Sequence, residues 1–444
     1  MREIGAGKIA PAVVQFSEWL AGFGETSYDH QSFFASPLGR RAKALYYRKR
    51  LLGTLASAPM VLCEAFVPSA RRLFWKPQRF PIADAHYAMG FAFLAEVFGT
   101  ANYYQRAVDF LETLESTRCP GYEDYCWGYP FDWETSGGCI KEGTPLITTL
   151  PYVYEAFAHV YELDTDERWR RIMRSIAQHA LESYRDIEVA PGTATCAYTP
   201  APDDPGGVIN ASAYRAFLLT RAAVDFSEAK YREIANRNLS FVLASQNRDG
   251  SWAYRSSDPD RGFVDHFHTC FVLKALAKIE KLTGSSQVTK AIERGVAYYV
   301  RALFDGDGLP IPFSRAPRLT VYRRELYDYA ECINLGVLLM GRFPELDERL
   351  ATTVSDLLLR WQQPNGSFKS RELLRGWDTV PMHRWAQSQV FRSLCFLLLQ
   401  SQNASDAVGS EQAVGRRRAG RVGTLERQPA DIDRLNAARL ASRA

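Results

Sequence analysis

Apolar stretches of helical length alternate with polar stretches along most of the chain. Between about residue 80 and residue 400, helix-like apolar runs are separated by polar connections of roughly fifteen residues. Four glycines follow one another at intervals of 58 residues, each at the end of an apolar run: Gly192, Gly250, Gly308 and Gly366. One repeating unit is therefore predicted to contain a helix, a glycine-centred turn, an ordered loop and a second helix.

Two further units with looser spacing extend this array toward the N-terminus, which gives six helical hairpins. Six hairpins either stack as an open solenoid or close into a ring. Every second connection is long, aromatic and polar, as expected when loops gather over one functional face, and this favours the ring. The predicted fold class is all-α, an (α/α)6 toroid of six helical hairpins with an N-terminal helical extension. The predicted domains are the extension at 1–78, the toroid at 79–402 and a flexible basic tail at 403–444.

Composition and charge exclude several classes of protein. Apolar residues make up 46% of the 444 residues and charged residues 23%, so the bulk of the chain is neither disordered nor of low complexity. The net charge of the chain is +4, and residues 401–444 contribute +3 of it. The first 400 residues therefore have no basic stripe, and nucleic-acid binding is not expected. Because the N-terminus shows no secretory signal and the eight cysteines are widely spread, we expect reduced thiols and a cytoplasmic location.

The segment 40–76 has an unusual distribution of charge. Residues 40–50 contain six Lys or Arg, and residues 51–68 then carry a single charge, Glu64. Pro59 and Glu64 argue against a membrane-spanning helix. Two interpretations stay open: a buried helix behind a solvated basic one, or peripheral contact with the inner membrane through 40–76 or the basic tail.

Two copies of a short motif carry a family resemblance. Their residues are Gln246, Gly250, Ser251 and Trp252 in one copy, and Gln362, Gly366, Ser367 and Phe368 in the other. They resemble the Gln-to-Gly-Ser-Trp motif of the terpenoid cyclase toroids, which is shared in degenerate form with (α/α)6-barrel glycosidases and polysaccharide lyases. The resemblance covers roughly residues 80–400 and implies a toroid in which the motif ties helix ends together.

A narrower resemblance points to a biological setting. The strings CWGYPFDW, VDHFHTCFVLKAL, YDYAECINL and MHRWAQSQVFRSL resemble toroid proteins encoded in bacterial capsule, exopolysaccharide and O-antigen clusters. This implies surface-glycan biosynthesis and names no reaction. The acidic DxDD motif of class II terpenoid cyclases is not reproduced, because the nearest string, at 164–167, ends in Glu; no DDxxD motif is present either. Isoprenoid chemistry is therefore the second hypothesis.

Candidate site residues come from the expected starts of the inner helices and from the aromatic loop at 126–134. The candidate catalytic residues are His266, His268, Tyr327, Asp328, Tyr329 and Glu331. The candidate substrate-binding residues are Trp127, Tyr129, Asp132, Trp133, Asn210, Asn334, Trp377, His383 and Arg384. Flat aromatic faces stack on sugar rings. The alternative is that the polar residues are helix caps and that the aromatic loop only plugs one end of the ring.

Two chemistries fit these residues. Carboxylates of the loop at 132–134 could face Asp328 or Glu331 as the acid and base of glycosidic hydrolysis. Alternatively, Tyr and His side chains could move a proton at C5 of a uronate while Arg384 and Asn334 neutralise its carboxylate. No metal is expected. His266 and His268 have one residue between them, so on a helix their side chains point roughly 200° apart and cannot easily bind one ion.

The sequence therefore predicts a carbohydrate-active enzyme that acts on an acidic or complex oligosaccharide, free or lipid-linked, in surface polysaccharide biosynthesis. Its expected type is polysaccharide lyase or epimerase, or glycoside hydrolase, with no cofactor. The competing hypotheses are an isoprenoid-binding toroid of the terpenoid cyclase or prenyltransferase kind, and a non-catalytic glycan-binding or scaffold protein.

Overall fold

The computed structural model of the chain describes residues 6–257 and 262–414. Five helices precede the ring: α1 (Ala6–Phe23), α2 (Ser32–Ala35), α3 (Pro37–Arg48), α4 (Arg50–Phe66) and α5 (Arg71–Phe74). The ring helices follow in chain order: α6 (Pro81–Phe98), α7 (Ala101–Ser116), α8 (Leu150–Asp164), α9 (Glu167–Glu182), α10 (Ile209–Asp225), α11 (Ala229–Ala244), α12 (His266–Thr283), α13 (Ser286–Ala302), α14 (Leu326–Leu338), α15 (Pro344–Asp356) and α16 (Ser388–Val414).

The even-numbered helices from α6 to α16 form the inner layer of the ring, and the odd-numbered ones form the outer layer. Inner helices are buried on all sides, as α6 shows by having no exposed residue between Ala83 and Leu94. Outer helices are amphipathic, and α9 buries Trp169, Ile172 and Ile176 on one face. This contrast has a simple cause, because a helix surrounded by other helices must be apolar all round, whereas a peripheral helix needs one apolar stripe.

Helix α1 supplies the outer partner of the sixth inner helix. Gln246, after α11, donates from Nε2 to the carbonyl of Ala291 on α13 at 2.9 Å. Gln362, after α15, donates in the same way to the carbonyl of Ala12 on α1 at 3.0 Å. Because the repeated glutamine contacts the next outer helix in both cases, α1 stands where an outer helix of the ring belongs. The domain boundaries, which assign α1 to an extension, stay predictions.

All four regularly spaced glycines lie in turns: Gly250, Gly308 and Gly366 in turns that follow outer helices, and Gly192 in the turn of a strand hairpin after α9. Their φ angles are positive: 69° at Gly192, 96° at Gly250, 76° at Gly308 and 94° at Gly366. At two of these turns a side chain would also collide with the neighbouring outer helix, since a Cβ at Gly250 would meet the backbone of Arg294 and one at Gly366 that of Gln15. These turns therefore need glycine both for the φ angle and for close approach.

Short antiparallel strands connect the loops on the same end of the ring. They are β1 (Trp133–Thr135), β2 (Gly138–Ile140), β3 (Asp186–Ala190), β4 (Thr193–Cys196), β5 (Val264–Asp265), β6 (Phe313–Arg315), β7 (Tyr322–Glu325), β8 (Arg371–Leu373) and β9 (Trp377–Asp378). The pairs β1–β2, β3–β4 and β8–β9 are local hairpins, whereas β5–β6 and β7–β8 join loops of neighbouring helical pairs. All inner helices begin at this end, which we call the mouth.

The segment from α2 to α5 lies on the loops of the mouth. Arg71 and Asp378 form an ion pair at 2.6 Å in which neither side chain is exposed. Arg40 pairs with Asp132, and Glu64 pairs with Arg371. These three pairs fix the segment to loops from opposite ends of the ring sequence. Within the described residues, no helix combines the length and apolar character needed to cross a membrane.

Candidate functional site

Aromatic side chains gather at the mouth of the ring, and all of them are half-buried except Tyr327, which is buried. We call them, together with two basic residues, the mouth cluster: Tyr129, Trp133, Tyr198, Tyr254, Phe267, His268, Tyr327, Arg384 and Trp385. Trp385 is in the middle, with ring centroids 4.3 Å from Tyr327 and 5.3 Å from Phe267. Trp133 lies 5.5 Å from Tyr129. The cluster therefore offers several partly exposed ring faces next to each other.

Arg384 is held by a carboxylate from the N-terminal segment. Its Nε and Nη2 donate to the two oxygens of Asp29 at 3.0 and 2.6 Å. Its Nη1 donates to the hydroxyl of Tyr129 at 3.3 Å, and its guanidinium lies 4.6 Å from the Tyr129 ring. Burial raises the pKa of Asp29, but Arg384 and His30 outweigh it and hold that pKa well below its usual range. The Arg384 charge is thus balanced inside the protein, and the residue orients Tyr129.

His268 and Asp265 form the arrangement that most resembles catalytic machinery. Asp265 caps α12 by accepting the backbone N–H of His268 at 3.0 Å, and its other oxygen lies 2.6 Å from His268 Nδ1. The Asp265 side chain is 2% exposed and that of His268 is 24% exposed. The second ring nitrogen of His268, Nε2, has no hydrogen bond within the described residues. A carboxylate that holds Nδ1–H leaves Nε2 as the proton acceptor, which is how a general base is oriented.

Asp328 is a buried carboxyl group at the start of α14. It is fully buried, and neither of its oxygens has a hydrogen-bond partner among the described residues. Burial, with the nearby acidic groups Glu325 and Asp265, raises the pKa of Asp328 well above its ordinary value. Burial thus favours the neutral form of this carboxyl group, and a neutral carboxyl group can act as a proton donor.

Beneath the mouth, every inner helix contributes a polar side chain toward the axis of the ring. We call this set the axial network: His86, Tyr152, Glu155, Tyr214, Lys274, Lys278, Glu331 and Arg392. Lys274 pairs with Glu331, and Lys278 with Glu155. Burial lowers the pKa of Lys278 to about 8 although Glu155 opposes the shift. Of this network, only Glu331 is among the candidate residues chosen from the sequence. The other charged members could have been recognised as charges within otherwise apolar helices.

His266 does not belong to the mouth cluster. Its Nδ1 lies 3.2 Å from the carbonyl oxygens of Leu303 and Ile311, and its Nε2 lies 2.6 Å from the hydroxyl of Tyr299. Burial lowers the pKa of His266 to about 3. Both ring nitrogens are therefore used inside the protein, between α12 and α13, and the imidazole stays neutral.

Three other candidates point away from the mouth. Tyr329 donates to Asp356 of the outer helix α15 at 2.8 Å. Trp127 is fully buried and donates from Nε1 to the carbonyl of Leu114 at 2.8 Å. Trp377 packs against Trp361, in the π-helical turn after α15, with 5.0 Å between the two ring centroids. Their positions on an outer layer or in the core explain their aromatic character without a ligand.

Two candidate binding residues hold chain segments together. His383 lies with Nδ1 2.6 Å from the Tyr87 hydroxyl and with Nε2 3.0 Å from the carbonyl of Gly24, so it fixes the end of α1. Burial lowers the pKa of His383 to about 4. Asp132 is bound by Arg40 of α3 and accepts hydrogen bonds at the rim. Its carboxylate is therefore engaged by residues of the rim, and its role in hydrolysis stays a prediction.

The two candidate asparagines are both buried. Asn334 donates to the carbonyl of Ala330 at 3.2 Å on its own helix. The side-chain oxygens of Asn210 and Asn334 have no hydrogen-bond partner among the described residues. Of the predicted site residues, the structure thus brings together Tyr129, Trp133, His268, Tyr327 and Arg384. In the described part of the chain, no group of three or more His, Cys, Asp or Glu side chains is arranged to hold a metal ion.

Comparison of the sequence with protein-family models finds no match, and neither does comparison with curated proteins. Solved structures share the fold. An unsaturated glucuronyl hydrolase specific for heparin aligns with 90% of this chain and 97% of its own, at 9% identity and a TM-score of 0.59. A glycosyl hydrolase of family 88 from Bacteroides vulgatus aligns with 72% of this chain and 91% of its own, at 12% identity and a TM-score of 0.53. A cellobiose 2-epimerase from Bacillus thermoamylovorans aligns with 72% of this chain and 88% of its own, at 8% identity and a TM-score of 0.56.

These likenesses identify the architecture. The chain is an (α/α)6 toroid. The predicted all-α fold class, an (α/α)6 toroid, is confirmed by these shared folds. The narrower resemblance to proteins of capsule and exopolysaccharide clusters stays a prediction.

Proposed function

We propose that this toroid is a carbohydrate-active enzyme that abstracts a proton from a uronate residue of an acidic or complex oligosaccharide, as a lyase or epimerase does. The main support for this proposal is the His268–Asp265 pair. Nε2 of His268 has no hydrogen bond among the described residues and lies next to partly exposed aromatic rings. The names of structural neighbours support the chemistry, since they include a glucuronyl hydrolase, a polysaccharide lyase and a cellobiose 2-epimerase.

Each role follows from the chemistry of the group. His268 Nε2 accepts the proton from C5 of the uronate, and Asp265 stabilises the imidazolium that forms. Trp385 and Trp133 stack on sugar rings. Asp328, whose neutral form is favoured by burial, donates a proton to the leaving oxygen in a lyase or to the opposite face of C5 in an epimerase.

Glycosidic hydrolysis is the second candidate. It is favoured by Asp328 as a protonated acid, but it needs a second carboxylate to activate water or attack the sugar. Asp132 and Asp265 are each engaged, by Arg40 and His268 respectively, which leaves the half-buried Glu134 of β1 for that role. Proton abstraction comes first because it uses the His268–Asp265 pair, which is already oriented.

The setting belongs to the proposal as well. Surface polysaccharide biosynthesis in a bacterial cytoplasm, near the inner membrane and with a lipid-linked glycan as substrate, follows from the sequence resemblance and from segment 40–76. The isoprenoid hypothesis ranks lower, because His268 and the Tyr hydroxyl groups of the mouth cluster would quench a carbocation. A silent glycan-binding protein would not need an oriented base.

The test is incubation with uronate-containing oligosaccharides followed by mass spectrometry. A lyase gives an unsaturated product, an epimerase gives no change of mass but a new isomer, and a hydrolase adds one water. We expect His268→Asn to lower the rate by about 10²- to 10⁴-fold. The matched control is His159→Asn, on α8, whose imidazole pairs with Glu162. Equal rates for both variants, or binding of a prenyl diphosphate with no glycan turned over, would contradict the proposal.

A further inference from the structure

Helix α4 carries its large apolar side chains on the solvent side. Leu51, Leu55, Leu62 and Phe66 have exposed fractions of 83%, 72%, 56% and 59%. At about 100° per residue, these four positions fall within roughly 60° of one another around the helix. They form a continuous apolar ridge along the helix, and no described residue of this chain covers it.

The opposite face of α4 is fixed against the protein by small and charged residues. Gly53 approaches the backbone of Tyr46 on α3 so closely that a Cβ would collide with it. Ser57 and Met60 are buried on the same face, and Glu64 pairs with Arg371. The ridge cannot turn inward without exposing these contacts, so its exposure is a property of the fold.

The exposed apolar surface extends over α3, α4 and α5. It contains nine of the sixteen large exposed apolar side chains among the described residues, and we call it the α3–α5 patch: Leu38, Tyr47, Leu51, Leu52, Leu55, Leu62, Phe66, Val67 and Leu73. Exposed apolar residues scattered singly need no explanation, but a concentration of this kind marks a docking surface.

The charges around the patch have one sign. Between residues 38 and 76 the only acidic residue is Glu64, which is engaged by Arg371. Six basic residues of the same segment are exposed: Arg41, Arg48, Lys49, Arg50, Arg72 and Lys76. A second copy of the chain would place cations against cations in a symmetric contact. An anionic lipid surface complements both the apolar ridge and the charge.

We propose that the α3–α5 patch docks on a bilayer that contains anionic phospholipid and so holds the mouth of the ring at the membrane. The same segment is attached to the loops of the mouth through the Arg71–Asp378 and Arg40–Asp132 pairs. Docking would therefore bring the mouth cluster near the bilayer, where a lipid-linked glycan is presented. Only the glycan in this inference rests on the proposed function.

The experiment is co-sedimentation of the full chain with vesicles of phosphatidylcholine alone and of phosphatidylcholine with phosphatidylglycerol. The test variant combines Leu51→Ser, Leu55→Ser and Leu62→Ser. The matched control removes three exposed apolar side chains elsewhere: Val189→Ser, Val224→Ser and Leu359→Ser. We expect wild type and control to bind the anionic vesicles, more weakly at high salt, and the test variant to bind about tenfold less or weaker still.

Three results would overturn the docking proposal. Wild type could fail to bind anionic vesicles, or the test variant could bind as well as the control, which would assign the binding to another part of the chain. Alternatively, the three serines could convert a dimer into a monomer without any vesicle binding, which would make the patch a contact between copies. Turnover of a water-soluble oligosaccharide is measured in parallel, and its failure bears on the proposed enzyme and not on the patch.

Discussion

At the axis of the ring, Lys274 and Glu331 form an ion pair inside the core, whereas at the mouth one ring nitrogen of His268 has no hydrogen bond within the described part of the chain. The axial network lies on the inner helices, and the mouth cluster lies on the loops and first helical turns that lead into them. In the axial network, ion pairs and hydrogen bonds join side chains of different inner helices and hold those helices together. In the mouth cluster, half-buried rings and an oriented base leave capacity for a ligand. Polar residues on the inner helices therefore have two uses, separated by depth.

The largest expected effect comes from breaking the axial ion pair. Lys274→Met leaves the Glu331 carboxylate buried without its cation, and we expect the free energy of unfolding to fall by about 3–5 kcal/mol. Replacing both partners, with Lys274→Met and Glu331→Leu, should restore most of that loss, because no charge is then left buried. Denaturant titration followed by circular dichroism measures both variants. A single variant as stable as wild type would show that the axis is solvated and open to ligand.

The second prediction separates the buried histidine from the one at the mouth. The pKa of His266 is about 3 in the folded protein against an ordinary value of 6.5, so between these pH values the unfolded chain takes up a proton that the folded chain does not. Stability therefore falls as pH falls through this window. His266→Gln should reduce the slope of unfolding free energy against pH by about 1.4 kcal/mol per pH unit.

Denaturant titrations at several pH values between 4 and about 6.5 give this slope. The slope is informative even if His266→Gln is less stable overall, because only its pH dependence reports the titration. An unchanged slope would mean that His266 is not kept neutral by its core position.

The smallest effect concerns ligand stacking at the mouth. Trp133→Ala should weaken uronate oligosaccharide binding by about 0.5–1.5 kcal/mol, which is roughly a two- to tenfold rise in Kd, through loss of one aromatic face. Trp377→Ala is the matched control, since Trp377 is also half-buried but packs near the outer layer. Isothermal titration calorimetry measures both. Equal losses in the two variants would remove the distinction between the mouth and the rest of the surface.

Much of the architecture could be predicted from the sequence because it rests on local rules. The apolar runs have helical length, and the glycines at 192, 250, 308 and 366 are needed by turns with positive φ. The repeat also placed the mouth, since all long loops lie between an outer helix and the next inner one. Tyr129, Trp133, His268, Tyr327 and Arg384 could be predicted to lie near one another, because they stand in those loops or at the inner helix starts; their role as a site stays a prediction.

The rest of the site was beyond local rules. His266 and His268 lie in the same helical turn with one residue between them. His266 contacts Tyr299 in the core, whereas His268 contacts Asp265 at the mouth. Asp29, which neutralises Arg384, lies 355 positions away in the chain. The sequence shows that such groups are polar, but it does not show which distant partner each one meets.

The sequence by itself determined the number of helical pairs, the glycine turns and the end of the ring on which the loops gather, because helix periodicity and backbone conformation act over a few residues. The tertiary structure alone decided that α1 completes the outer layer, that Lys274 and Glu331 meet at the axis, and that the apolar ridge of α4 faces outward. These outcomes depend on contacts between segments far apart in the chain, and they are set by which face of each helix the closed ring leaves room to bury.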